Sequence, residues 1–311
     1  MRSRAIAGDT VSAVNHTGRY APSPTGQLHL GNLRTALLAW LYARSQNATF
    51  LLRIEDLDRE RSRAQYEPQQ ISDLRAIGID WDGEPLRQSD RDEIYADAVS
   101  RLDTYPCWCT RAEIREAASA PHGSPEGSYP GTCRGLTARQ RAERQRSGRP
   151  PALRVRSDRP SVEFDDRIHG RQRGQVDDFV LRRNDGTFGY NLAVVVDDGD
   201  QHVGEVVRGD DLLDSTARQI WLAEHLGLRR SSYAHVPLVL GDDGKRLAKR
   251  HGAVTLAERL ADGETADQVR AMLAASVGLC EAGEEPSADE LVARFDAAAF
   301  EPPASGPLPG I

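Results

Sequence analysis

Two segments carry residue types suited to phosphate chemistry. The first is Arg19-Tyr20-Ala21-Pro22-Ser23-Pro24-Thr25-Gly26-Gln27-Leu28-His29-Leu30-Gly31-Asn32, a turn-rich stretch between an apolar run and a helical pattern. Handovers of this kind from strand to helix hold nucleotides in open α/β sheets. The helix N-terminus offers unpaired N–H groups and the positive end of its dipole. Gly26 and Gly31 permit a tight turn and close approach of a ligand, and His29 can donate a hydrogen bond to phosphate. The spacing is not that of a Walker loop, and no Lys-Ser/Thr pair follows. Taken alone, these residues fit a structural turn with a half-buried histidine at least as well.

The second segment is Gly244-Lys245-Arg246-Leu247-Ala248-Lys249-Arg250-His251-Gly252. Four cations and a histidine between glycines repel one another unless an anion neutralises them, which suits a polyphosphate. Most such runs are solvated basic loops. Here the lysines argue otherwise. Of 40 basic residues, only Lys245 and Lys249 are lysine and 38 are arginine. In a chain so biased, lysine persists where a compact ammonium differs chemically from a guanidinium.

Cysteine supplies a third candidate. Cys107, Cys109 and Cys133 cluster in sequence, whereas Cys280 is remote and is expected on an apolar helix face in the core. In a reducing compartment such clusters indicate a metal more than a disulfide. A tetrahedral structural zinc needs a fourth ligand, for which general ligand preference selects His122. The alternative is a set of reduced core cysteines.

These residues need a scaffold. The pattern predicts a strand at 17–21, a helix at 31–44, a strand at 48–54 and helices near 61–77 and 90–103, the opening of a parallel α/β sheet. Residues 104–177 read as an insertion with a Gly/Pro/Ser-rich loop at 120–131. It also carries a basic segment at 134–159, with nine arginines against Glu143 and Asp158. Sheet-like sequence resumes at 179–182 and in the apolar run 190–196, followed by a helix at 211–227 and a strand at 236–240. Residues 241–244 form a turn into the lysine pair, two or three short helices follow from 255, and 302–311 is expected to fray. Over 311 residues the net charge is -7, with 39% apolar and 28% charged residues, an ordinary globular composition. No apolar run approaches the length of a membrane span, and residues 1–16 lack the apolar core of a secretory signal. A cytoplasmic, membrane-free monomer is expected. The acidic balance argues against coating nucleic acid by bulk charge but leaves room for a local basic face.

His29-Leu30-Gly31-Asn32 and Arg246-Leu247-Ala248-Lys249-Arg250 resemble, in order and separation, the two signature motifs of class I aminoacyl-tRNA synthetases. The stretch from Arg19 to Gly26, Leu52-Arg53-Ile54-Glu55-Asp56-Leu57-Asp58 and Val207-Arg208-Gly209-Asp210-Asp211-Leu212 are similar to the glutamyl group. Asn32, Arg246 and Ala248 stand where that family usually has His, Lys and Ser. The resemblance implies a Rossmann-like open parallel sheet with a zinc-bearing insertion and a short helical C-terminal part. Its divisions would be 14–103 and 178–254 for the two halves of the nucleotide-binding fold, 104–177 for the insertion and 255–300 for the helices. It implies glutamate held by Arg19, Tyr20, Ala21, Pro22, Ser23, Glu55, Tyr190 and Arg208. ATP, with Mg²⁺, would be held by His29, Gly31, Asn32, Arg246, Leu247, Ala248, Lys249 and Arg250. His29 and Lys249 would be the catalytic pair that stabilises charge on the α-phosphate. It also implies Tyr129, four residues before Cys133, as the fourth zinc ligand in place of His122.

Lys249 is followed by 62 residues (311 − 249), too few for an anticodon-binding domain of about 100. Shortness and the cysteine pattern resemble the glutamyl-queuosine branch of the group. That branch implies activation of L-glutamate without tRNA, then transfer to the queuosine at the wobble position of tRNA(Asp). A truncated enzyme charging tRNA(Glu), or a non-catalytic zinc-bearing RNA-binding module, are the rival readings.

Overall fold

The structure, a computed structural model, describes residues 17–118, 128–241, 247, 255–306 and 308. Strand β1 (Gly18–Tyr20) leads into helix α1 (Leu30–Arg44), and β2 (Phe50–Ile54) returns parallel to β1. Helix α2 (Tyr66–Ala76) carries the chain to β3 (Leu86–Arg87), parallel to β2, and α3 (Asp92–Ser100) follows. Next come β4 (Thr104–Cys107), α4 (Arg111–Ala118), α5 (Ala138–Arg146) and β5 (Ala152–Val155). The hairpin β6 (Ser161–Asp166) and β7 (Gly170–Gln175) precedes β8 (Val180–Arg182) and α6 (Tyr190–Asp200). Strand β9 (Glu205–Gly209), α7 (Thr216–Leu226) and β10 (Ser232–Val236) complete the sheet region, and α8 (Leu256–Ala261), α9 (Ala266–Ala275) and α10 (Ala288–Arg294) complete the helices.

The sheets have orders β1-β2-β3, β7-β6-β10-β9 and β4-β5-β8. The first two meet edge to edge. The N–H groups of Gly204 and Glu205 donate to the Thr17 carbonyl at 2.9 and 3.3 Å, and Arg19 reaches the Val207 carbonyl further along. Strands β1 and β9 therefore run side by side in the same direction, with connections leaving to different parts of the chain. A crevice opens at the carboxyl ends of strands at such a switch of order, the usual ligand position in this architecture. The cysteine-bearing sheet β4-β5-β8 is antiparallel and carries its own small core around Tyr105, Trp108 and Tyr129.

Helix α1 is buried on nearly every side because β1 and β9 cover one flank and α9 and α10 the other. The sequence pattern is corrected in four places. Residues 190–196 are helical, not extended. Six consecutive residues from Leu192 to Asp197 are buried, so no hydrophobic period distinguishes helix from strand there, and burial outweighs the strand preference of three valines. The last strand of the sheet lies at 232–236 rather than 236–240, because only that stretch pairs with β9. Cys280 follows α9 rather than lying on it, though it does pack against the main core. The C-terminal stretch is tied down where described: Leu240 donates to the Gly306 carbonyl at 3.0 Å, and Leu308 is buried. Among the described residues, no helix is long and apolar enough to cross a membrane.

Candidate active site and metal centre

A cleft of about 660 Å³ opens at the junction of β1 and β9. Arg19, Tyr20, Ala21, Pro22 and Ser23 line it from β1 and the turn beyond, and His29, Gly31 and Asn32 line it from the start of α1. Glu55 enters from the end of β2, Tyr190 from the start of α6, Arg208 from β9 and Leu247 from the second signature. Residues some 230 positions apart thus face one space. Lys245, Arg246, Ala248, Lys249 and Arg250 lie outside the described residues. Leu247, within that segment, donates to the Val239 carbonyl at 3.0 Å, and Thr255, where the described chain resumes, pairs with His29.

One wall is an ion-pair lattice. Asp198 at the end of α6 accepts from Arg19 Nε at 3.1 Å and from Arg53 Nη1 at 2.8 Å. Arg53 is fully buried and also reaches Gln201 at 2.9 Å and Glu55 at 3.4 Å. Burial raises the Asp198 carboxyl, but Arg19 and Arg53 outweigh it and hold the group below its ordinary value. For Glu55 the balance tips the other way: burial wins over Arg53 and Arg19, and its pKa is raised. An arriving ammonium would supply the positive charge that Glu55 lacks. Arg19 is fixed at the cleft wall by Asp198 and by the Val207 carbonyl, which its Nη1 reaches at 3.4 Å.

His29 caps α1. Its Nδ1 accepts from the Asn32 N–H at 3.3 Å, while Asn32 Oδ1 accepts from the His29 N–H at 3.3 Å. This reciprocal pair satisfies two helix-end donors. It also fixes the ring: with Nδ1 accepting, the neutral imidazole carries its proton on Nε2. Asn32 thereby gains a structural reason for standing where the family usually has His. At Gly31 a Cβ would be crowded, meeting His29 Nδ1 at 3.0 Å and Val239 Cβ at 3.2 Å, so the capping ring would have to give way. The turn between is pinned by Gln70, whose Nε2 donates to the Ser23 and Gly26 carbonyls at 3.1 and 2.7 Å.

Gln70, Arg53, Asp198 and the partners of Arg208 were not visible as site residues in the sequence. Arg208 is buried and holds Gln219 Oε1 at 2.7 Å, Thr216 Oγ1 at 2.8 Å and His235 Nε2 at 3.0 Å. Asp197-Asp198 at the end of an apolar run was the one available signal, since paired acids in a buried stretch need cations.

The Cys107, Cys109 and Cys133 sulfurs all lie within 4.8 Å of one another, a set able to hold a metal ion. Tyr129 Oη is 3.3 Å from Cys107 Sγ and accepts from the Cys133 N–H at 2.8 Å. The Arg154 guanidinium lies over the Tyr129 ring at 3.7 Å. The mutual hydrogen bond of Cys107 and Cys109 pulls the Cys107 thiol below its ordinary value and pushes Cys109 above it, so without a cation the two share one proton. Three sulfurs and one phenol oxygen converge, which fits a four-ligand structural zinc. His122 lies outside the described residues.

The family model for the catalytic domain of class I tRNA synthetases (E and Q) matches residues 16–295. The chain belongs to that family. A glutamyl-Q tRNA(Asp) synthetase of Nocardia farcinica is 60% identical over 270 residues, covering 86% of each chain. One from Symbiobacterium thermophilum is 50% identical over 298 residues, covering 90% of this chain and 92% of the other. A glutamate–tRNA ligase of a Sulfurihydrogenibium species is 43% identical over 269 residues, which make up 81% of this chain but 56% of that one. Among solved structures, a glutamate tRNA ligase from Elizabethkingia meningosepticum in complex with its amino acid is similar. It has a TM-score of 0.78 and 27% identity over 94% of this chain and 67% of that one. The fold is accordingly the Rossmann-like parallel sheet of a class I synthetase, with C-terminal helices and a cysteine cluster able to bind metal.

Proposed function

We propose that this synthetase activates L-glutamate with ATP, without tRNA, and transfers it to the queuosine at the wobble position of tRNA(Asp). The observation that carries the reading is the cleft itself. Arg19 and Arg208 stand with the under-neutralised Glu55 beside the N-terminus of α1, the set a dicarboxylic amino acid and a nucleotide would need together. Relatives bearing the glutamyl-Q name, at 50–60% identity, support the choice of substrate and acceptor. In the first step a glutamate carboxylate oxygen attacks the α-phosphorus and pyrophosphate departs; Mg²⁺ bound with ATP would offset the charge of the phosphates. Arg19, Arg208 and Tyr190 orient the amino acid while Glu55 takes its ammonium. His29 Nε2–H and the Lys249 ammonium stabilise charge on the α-phosphate, catalysis by position and field rather than by a covalent enzyme intermediate. Gly31, Asn32, Arg246, Leu247, Ala248 and Arg250 complete the nucleotide's seat. In the second step a ring hydroxyl of queuosine attacks the mixed anhydride and AMP leaves.

Zinc held by Cys107, Cys109, Cys133 and Tyr129 would brace the insertion without entering the chemistry, since among the described residues none of 104–177 lines the cleft. The insertion also suits RNA. The guanidinium groups of Arg139, Arg141, Arg144 and Arg146 on α5, of Arg149 after it, and of Arg111 and Arg115 on α4 make no ion pair or hydrogen bond among the described residues. No residue of α5 is buried. Unpaired guanidinium groups in an acidic protein are suited to phosphate.

The test supplies labelled glutamate and ATP with three tRNA preparations. Queuosine-bearing tRNA(Asp) trimmed of its 3′-terminal adenosine should still accept label, and queuosine-free tRNA(Asp) should not. Label on intact tRNA(Glu) would refute the reading in favour of ordinary charging.

A further inference from the structure

Beneath the cleft lies a buried polar chain that the proposed mechanism does not use. The parallel register of β9 and β10 sets His235 directly beside Arg208. His235 is fully buried and Asp166, from the end of β6, nearly so. Asp166 Oδ2 is 2.6 Å from His235 Nδ1, and the same carboxylate accepts from the N–H groups of Ile168 and His169 at 3.0 Å. On its other side His235 Nε2 lies 3.0 Å from Arg208 Nε and 3.1 Å from Thr216 Oγ1. Arg208 has only donors, so the nitrogen facing it must be an acceptor. The geometry therefore assigns the tautomer: Nδ1 keeps the proton and donates a hydrogen bond to Asp166, and Nε2 accepts from Arg208.

We propose that His235 is a positioning residue for substrate recognition, an uncharged acceptor that aims the Arg208 guanidinium at the carboxylate of the amino acid. The proposal rests on the reading of Arg208 as a glutamate-binding residue. Its physical content is the choice of acceptor. A carboxylate at position 235 would orient Arg208 equally well, but it would neutralise the guanidinium and compete with the substrate's own carboxylate. A neutral imidazole orients without quenching. The negative charge sits one residue further away on Asp166, where it fixes the tautomer and is itself held by backbone N–H groups. The orienting partner of a metal-bound histidine acts in the same way, fixing tautomer and ring angle through its second nitrogen. Thr216 and Gln219 take further Arg208 N–H groups at 2.8 and 2.7 Å, so the guanidinium has one permitted orientation.

Two amide substitutions separate aiming from filling. His235→Gln can place an amide oxygen near the Nε2 position and keep an acceptor for Arg208. His235→Asn can keep a donor for Asp166 at the Nδ1 position but leaves Arg208 without its acceptor. In glutamate-dependent pyrophosphate exchange, His235→Asn should raise KM for glutamate by roughly tenfold or more, about the effect of one lost hydrogen bond to a charged group. His235→Gln should stay within about threefold of the parent, and KM for ATP should be unchanged in both. Equal effects of the two amides, or an ATP shift as large as the glutamate shift, would overturn the proposal. Should either variant fail to fold, nitrogen NMR of the unsubstituted protein reads the tautomer directly. An unprotonated Nε2 on His235 is expected, and a protonated Nε2 overturns the assignment. If the unsubstituted protein shows no exchange with glutamate, the reading of the site falls, which is a different failure.

Discussion

At the scale of single residues, charge type and burial set the expectations. Lys249 is one of only two lysines among 40 basic residues, and the proposed mechanism places its ammonium against the α-phosphate. Lys249→Ala should lower glutamate-dependent pyrophosphate exchange a hundredfold or more, the cost of about 2.7–4 kcal/mol for one lost transition-state donor. An unchanged exchange rate would remove Lys249 from the mechanism. Asp73 on α2 makes a different case. Burial pushes its carboxyl up to about 6 from 3.8. Between those values the folded chain binds more protons than the unfolded one, so stability falls as pH rises from about 4 to about 6. Asp73→Asn removes the buried charge and should raise the melting temperature at pH 7, with little change at pH 4. Equal shifts at both pH values would contradict this origin. Burial is what the sequence could not show here, because Asp73 sits on a polar helix like any exposed acid.

At the scale of elements, the join between β1 and α1 matters most. The reciprocal cap between His29 and Asn32 starts α1 and holds the imidazole in one tautomer, the one the proposed mechanism needs. Asn32→Ala removes half of that box and should cost about 1 kcal/mol in denaturant unfolding. It should also weaken exchange at low ATP more than a cap substitution elsewhere, such as Ser287→Ala at the start of α10. Equal behaviour of the two would separate the cap from the site. This element was legible in sequence because turn residues, a capping residue and an apolar helix pattern agree over 22–44. Helix α6 was not. Its valines favour a strand and its uniform burial erases any period, so packing alone decided its type.

At the scale of the whole molecule, the cleft and the cysteine cluster are separate in construction. The cluster has its own small core, and among the described residues none between 71 and 189 lines the cleft. Chelation of a bound zinc should therefore abolish transfer to tRNA while glutamate-dependent exchange persists. Loss of both together would show that the insertion supports the catalytic fold. If the unpaired arginines of α4 and α5 hold phosphate, the transfer step should fall steeply with added salt. Exchange, which needs no RNA, should vary much less, and a flat salt response in transfer would exclude that surface.

By itself the sequence determined the chemistry available. Two phosphate-suited segments, a cysteine triplet and the glutamyl-type motifs name their residues because each motif is local, and local spacing is what a sequence records. The tertiary structure decided what holds them. Asp198 clamps Arg19 across 179 positions, Gln70 pins the turn across 47, and His235 meets Arg208 through strand register. Such partners leave no local pattern. Buried charges are satisfied by whichever chain the fold brings within about 3 Å, and that choice belongs to the packing of β1 against β9.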